Sequence, residues 1–200
     1  MAHHTYHTDS IVLSSRPVGE SNRYLSLLTR DLGLVRAVAR ASREGRSKLR
    51  YALQTYARAT VSLVRGRETW RVVGAVSEGS ALPRTLTNSA EVREIIARVA
   101  RLVERLIPGE GGDPALFETV DHLAGTVCIE NERVTREVLA SMECIAVLRI
   151  LRSLGYLGDD AALDPFNGEV PLSLDAAHEF GTLRPRAIAR INAALRATHL

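Results

Sequence analysis

Two hundred residues, 46% of them hydrophobic and 24% charged, are enough to bury a core and exclude a disordered or fibrous chain. The formal net charge is +3, and no apolar run approaches the roughly 18 to 20 residues that span a bilayer. The opening MAHHTYHTDS has neither a basic n-region nor an apolar h-region, so the expected location is the cytoplasm.

The chain begins with His3, His4 and His7, read as a polar N-terminus and not as metal ligands. The first predicted strand is 10–15 (SIVLSS), followed by a turn carrying Pro17, Gly19, Glu20 and Ser21. Residues 23–29 alternate as a strand with one buried face, Asp31-Leu32-Gly33 breaks the chain, and 34–39 alternates again. A polar, basic loop is expected over 40–50. Two more β-rich runs, 57–64 and 70–76, are joined around Gly66, with Trp70 expected in the core. Five short strands in about 70 residues point to a small closed or nearly closed barrel, since closure removes exposed strand edges.

Beyond Pro83 the period changes. Asn88 or Ser89 caps a helix in which Val92, Ile95, Ile96, Val99, Leu102, Val103 and Leu106 form one apolar stripe. Further helices are expected over 113–127, opened by Asp113 and Pro114, and over 131–153, ended by Gly155. The stretch 157–174 reads as irregular and acidic; a short helix over 175–180 and a last one over 184–198 complete the chain. Cys128 and Cys144 are too few for a disulfide framework and lack paired zinc spacing, so reduced, packed thiols are expected.

Charge is concentrated. Residues 15–56 hold nine cations against Glu20, Asp31 and Glu44, a local balance of +6 in a chain of +3, so the remainder is −3. A concentrated cationic field suits a polyanion, because each phosphate neutralised releases condensed counterions. The loop 40–50 carries Arg40, Arg43, Arg46, Lys48 and Arg50 among small and hydroxyl residues that let a backbone approach, a composition able to track a phosphodiester strand without reading its bases. Tyr51 and Tyr56 offer stacking or core packing; Arg16 and Arg23 extend the basic surface or pair with Glu20 or Asp31. Lys48 is the one lysine among 26 basic residues, a skew that favours planar contacts to phosphates and bases, though genome composition explains it equally.

The order of these features carries a resemblance. A strand ending in Ser15-Arg16-Pro17, then Gly19-Glu20-Ser21-Asn22-Arg23, LTRDLG at 28–33, VRAVAR at 35–40, Arg43, Ser47-Lys48-Leu49-Arg50 and Ala52-Leu53-Gln54 closely resembles the N-terminal domain of the bacterial RecO family of recombination mediators. The likeness covers about 10–78; Leu148 and Ser153-Leu154-Gly155-Tyr156 are similar to the end of a core helix in the family's second domain. The resemblance implies an α+β chain with an N-terminal five-stranded OB-fold β-barrel at 1–80, then an all-helical C-terminal domain at 81–200 with an irregular insert near 157–174. It further implies no catalytic activity and no cofactor, binding of single- and double-stranded DNA, annealing of complementary strands, and a nucleoid-associated place in the cytoplasm. The implied partners are RecR and the C-terminal tail of single-stranded DNA-binding protein, with recombinase loading in a RecF-type pathway.

Two departures follow. Many members carry four zinc-binding cysteines after the Leu-Gly-Tyr segment, whereas 157–170 (LGDDAALDPFNGEV) has none, so no metal is expected. The chain is also short for the family at its C-terminal end, and Cys144 and Ile145 stand where a basic residue of the tail-binding helix is sought.

The candidate DNA-binding set is therefore Arg16, Arg23, Arg36, Arg40, Arg43, Arg46, Lys48, Arg50 and Tyr51. Arg98, Arg101 and Arg105 on one helix, and Arg149 and Arg152 on another, either clamp an acidic peptide beside an apolar groove or form solvated faces. Asp121-His122 and Asp159-Asp160 have no third partner at a metal-ligand spacing and read as solvated. No phosphate-binding G-x-x-x-x-G-K-[ST] loop is present. Two alternatives stay open: an OB-fold protein-interaction adaptor for an acidic partner, and an RNA-binding protein reading 2′-hydroxyls.

Overall fold

Period-two alternation builds the first unit, seen in a computed structural model that describes residues 4–42, 47, 49–77, 89–129 (without the side chains of 128 and 129), 134–168 and 171–197. β1 (Thr5–Val18), β2 (Asn22–Thr29), β3 (Gly33–Ala39), β4 (Arg58–Arg65) and β5 (Trp70–Ser77) close into a barrel of order β1-β2-β3-β5-β4. The long β1 makes closure possible: Thr5 to Ile11 pairs with β4, and Ser10 to Val18 pairs with β2. Leu25 and Leu27, Val35, Ala37 and Ala39, Ala59, Val61 and Leu63, and Trp70 and Val72 point inward and form the core. This is the expected five-stranded OB-fold barrel, and Trp70 is buried as expected.

β1 starts at Thr5, earlier than the expected Ser10. Its inward positions include Thr8 and Ser10, which break the apolar alternation that marks a strand in sequence. Both are buried, and each hydroxyl is satisfied: Thr8 Oγ1 donates to Asp31 Oδ2 at 2.6 Å and Ser10 Oγ to the Ala59 carbonyl at 2.8 Å. His7 therefore lies in the strand, its Nδ1 2.9 Å from Ser62 Oγ. Between β3 and β4 a short helix, α1 (Leu49–Ala52), replaces the end of the expected loop; Ala52 and Leu53 join the barrel core while Arg50 and Tyr51 stay exposed.

Residues 108–114 also belong to the barrel unit. They lie as a strap against the β2–β3 turn: Leu34 N donates to the Gly109 carbonyl at 3.3 Å, Gly111 N to the Leu32 carbonyl at 3.0 Å, and Gly33 bridges Glu110. Glu110 reaches β5, accepting from Trp70 Nε1 at 2.8 Å and pairing with Arg65 at 3.3 Å.

The second compact unit comprises 85–107 and 115–200. Among the described residues its helices are α2 (Ala90–Leu106), α3 (Pro114–Ile129), α4 (Arg136–Ser153), α5 (Leu174–Phe180) and α6 (Arg184–Ala197). Ser89 caps α2, accepting from Val92 N at 3.3 Å, and the stripe from Val92 to Leu106 is buried apart from the partly exposed Leu102. α4 begins later than expected because Thr135 caps it, accepting from Val138 N at 3.3 Å. Buried on most of its faces, α4 is the central helix, packed against α2, α5 and α6. The 157–174 stretch contains a 3₁₀ turn, Asp164–Phe166, whose Phe166 ring meets Phe180 edge-on at 5.1 Å.

Asp160 corrects its solvated reading. Its side chain is buried, accepts from Arg186 Nε at 3.1 Å and from Ala162 N at 3.1 Å, and lies 3.9 Å from Arg190.

Candidate nucleic-acid interface

Residues that alternate with the inward core face out of the barrel. Register places Arg16 of β1 beside Tyr24 of β2, Tyr24 beside Val38 of β3, and Val38 beside Arg71 of β5, one row across four strands. At about 4.8 Å per strand the row runs roughly 14 Å. The Arg16 guanidinium stacks over the Tyr24 ring, 4.6 Å from its centroid. The neighbouring row sets Ser14 beside Ser26 and Ser26 beside Arg36. Arg36 is exposed and makes no ion pair among the described residues.

β3 runs directly into Arg40, also exposed, and the chain there is pinned: Ala41, with φ of +49°, donates its N–H to Asn22 Oδ1 at 3.1 Å, and Ser42 Oγ donates to the Ala39 carbonyl at 3.1 Å. Arg43, Arg46 and Lys48 lie outside the described residues. Tyr51 is 66% exposed on α1, whereas Tyr56 is half-buried with φ of +67° and donates its N–H to the Val12 carbonyl. Arg23 follows the inward parity at the barrel rim and donates to Ser15 Oγ at 3.3 Å. Neither Arg16 nor Arg23 pairs with Glu20 or Asp31; Asp31 is engaged by Thr8.

Sequence reasoning did not single out Arg65, Arg67 and Arg71, which line an open hollow at the β4–β5 turn with Gly66, Glu68 and Thr69. Arg71 ends the cross-strand row, and its Nε is buried without a hydrogen-bond partner. Arg67 is exposed, while Arg65 lies 5.5 Å from the Trp70 ring centre and pairs with Glu110. The signal was three arginines around a glycine turn; what no local pattern shows is the place of Arg71 on the cross-strand row, which depends on the parallel β3–β5 pairing.

In the helical unit the other candidates have different settings. Arg98 donates from Nε and Nη2 to both Glu143 oxygens at 2.6 and 2.7 Å and pairs with Glu94; the Glu143 hydrogen bond holds its pKa above the ordinary value. Arg101 and Arg105 are exposed. Arg149 is buried, its Nε donating to the Phe166 carbonyl at 2.7 Å, and desolvation lowers its pKa. Arg152 pairs with Asp164 at 2.6 Å and Asp159 at 3.0 Å. Asp121 is half-buried and engaged, and His122 is half-buried in a cleft of the same unit. Among the described residues no three His, Cys, Asp or Glu side chains gather as a metal site, and no helix is long and apolar enough to cross a membrane.

Residues 1–77 match the family model described as recombination protein O N terminal. The chain is 32% identical over 131 residues to DNA repair protein RecO of Dehalococcoides mccartyi strain 195, covering 64% of this chain and 51% of that protein. It is 28% identical over 151 residues to DNA repair protein RecO of Desulfitobacterium hafniense DCB-2 (76% and 52%), and 35% identical over 119 residues to that of Pelotomaculum thermopropionicum (59% and 46%). The chain thus spans about half the length of the curated relatives it matches. Barrel and sequence agree over the same stretch: residues 1–77 match that N-terminal family model, and the chain is similar to the RecO proteins.

Proposed function

We propose that the chain is a non-enzymatic DNA repair and recombination mediator whose barrel binds single- and double-stranded DNA and anneals complementary strands. The observation that carries this reading is the outer barrel face, where Arg16, Arg36, Arg40 and Arg71 surround Tyr24 on one row and its neighbours. Phosphates meet cations that have little intramolecular competition, and a base meets an aromatic face beside a guanidinium, a pairing that tolerates any sequence. Two strands neutralised on one surface repel each other less, which lowers the barrier to pairing. Arg50, Tyr51 and the basic residues 43–48 extend the same role. In the same proposal, which here rests on the family resemblance, the mediator assists recombinase loading on strands coated by single-stranded DNA-binding protein. RecR and that protein's C-terminal tail are its partners in this reading, with Arg98, Arg101, Arg105, Arg149 and Arg152 as candidate contacts for the tail.

The test is fluorescence anisotropy of a mixed-sequence single strand across a salt series, with strand annealing followed on the same preparation. Tight, steeply salt-dependent binding with accelerated annealing is expected. Absence of binding at low salt would overturn the reading and leave an acidic protein partner for the barrel.

A further inference from the structure

The barrel face leaves unused the most unusual charge in the molecule. Arg149, in the last turns of α4, is only 8% exposed. Its Nε is taken by the Phe166 carbonyl, and no carboxylate or carbonyl among the described residues meets the rest of its fork. The Arg149 side chain nonetheless borders an open space in the helical unit. That opening is a cleft of about 250 Å³ in the helical unit, walled by Glu118, Thr119 and His122 of α3 and by Arg149, Arg152 and Ser153 of α4. Glu118, Thr119 and His122 fall at i, i+1 and i+4, one face of α3. Arg152, in contrast, is neutralised by Asp159 and Asp164. A buried guanidinium that meets no counter-ion among the described residues is costly to hold, and an oxyanion in the cleft offsets that cost.

The opposite wall selects among oxyanions. Thr119 Oγ1 is buried and spends its proton on the Ala115 carbonyl at 2.9 Å, so towards the cleft it can only accept; the Glu118 carboxylate also only accepts. His122 on the same wall can donate or accept, so a ligand that presents acceptors to Arg149 and a hydroxyl donor to Thr119 satisfies the cleft. A phosphate monoester or inorganic phosphate, with a second pKa near about 6, offers both; sulfate and carboxylates carry no proton at neutral pH. We propose that this cleft is a phosphate-monoester site, with the Arg149 fork gripping the phosphoryl oxygens, the P–O–H facing Thr119, and the phosphate supplied either free or as the terminal phosphate of a nucleic-acid strand. It goes beyond the barrel reading and does not depend on it.

The melting midpoint of the whole chain, measured in sodium phosphate and in sodium sulfate of equal ionic strength at mildly acidic pH, tests the site. Phosphate at about ten times its Kd should raise the midpoint by roughly 3 to 6 °C for a chain of this size, and sulfate by clearly less. Arg149→Met should abolish the phosphate shift. Thr119→Val, nearly isosteric, decides the matter should Arg149→Met not fold, since it should erase the preference for phosphate over sulfate. Equal shifts with the two salts, or an undiminished preference in the variants, would overturn the site. An oligonucleotide with a 5′-phosphate that binds more tightly than its 5′-hydroxyl twin, an advantage lost without Arg149 or Thr119, identifies the strand end as the source. Equal affinity of the two oligonucleotides, with the phosphate shift intact, identifies free phosphate. Loss of DNA binding on changing Arg36 and Arg40 leaves this shift untouched, so the two proposals fail separately.

Discussion

Arg36 and Arg98 are both exposed arginines on regular elements, and their surroundings give them opposite expected roles. Arg98 is committed to Glu143 and Glu94, whereas Arg36 stands opposite Ser26 with no acid paired to it among the described residues. Arg36→Ala should weaken single-strand binding and flatten the log K against log[salt] slope by about 0.7, while leaving stability within about 0.5 kcal/mol. Arg98→Ala should leave the slope alone and cost no more than about 1 kcal/mol, the usual range for an exposed pair. Anisotropy titrations and urea denaturation of the two variants separate the roles; a slope change in Arg98→Ala alone would reverse the assignment. Cys144 makes a sharper residue-scale case. Burial pushes its thiol up to about 11, reinforced by the negative Glu143 and opposed by Arg184. About one molecule in 10⁴ then carries the thiolate at pH 7, so alkylation should be slow and rise about tenfold per pH unit well past the ordinary cysteine value near 8.5. Iodoacetamide rates against pH in a Cys128→Ser background measure this, and a plateau near pH 9 would contradict it.

Among elements, the 108–114 strap shows what could not be read from the chain alone. Gly33 has φ of +72°, and a Cβ there would lie 2.3 Å from the Gly111 carbonyl oxygen. Gly33→Ala should therefore destabilise the barrel by more than about 1 kcal/mol, through both strain and clash. Glu110→Gln keeps an acceptor for Trp70 Nε1 but loses the charge facing Arg65, and should cost less than Gly33→Ala. Urea midpoints followed by Trp70 fluorescence report on the barrel directly; equal costs would mean that the strap holds through Glu110 and not through its backbone. Pro108 and the glycines of 108–112 (PGEGG) are local signals that end α2, but the pairing of Glu110 with Trp70, some 40 positions away, leaves no local trace. α2 was legible because its apolar stripe and Ser89 cap are local signals, and α4 was misjudged only at its start. The same limit hid Asp160 and Asp164. Burial raises the Asp160 carboxyl, but the Arg186 hydrogen bond, the Ala162 amide and the charges of Arg186 and Arg190 outweigh it; Asp164 is held down first by Arg152. A carboxyl depressed on folding contributes stability above its unfolded pKa and loses it as pH falls through the folded one. The helical unit should thus weaken below about pH 4, the unfolded Asp range, and Asp160→Asn should flatten that decline. Helical circular dichroism in urea across acidic pH tests it; an unchanged pH profile in Asp160→Asn would assign the acid sensitivity elsewhere.

Across the whole molecule, the uneven charge was legible from composition, and the barrel from strand alternation, because both depend on which residues neighbour each other along the chain. The binding face was legible only in part: Arg16, Arg36 and Arg40 come from the basic stretch, but Arg71 joins them through a parallel pairing with β3 that no local pattern announces. A net positive charge alone attracts polyanions, so the face must be separated from the general field. Two double variants do this, since each lowers the formal charge of the chain from +3 to +1. Arg36→Ala with Arg40→Ala removes exposed cations from the barrel row, and Arg101→Ala with Arg105→Ala removes exposed cations from α2. If phosphates dock on the barrel face, the first pair should flatten the salt slope by up to about 1.4 on single strands and slow annealing, while the second changes the slope by well under half as much. Identical losses from the two pairs would mean that the field, and not the face, holds the DNA; a larger loss from the second would move the docking surface onto the helical unit.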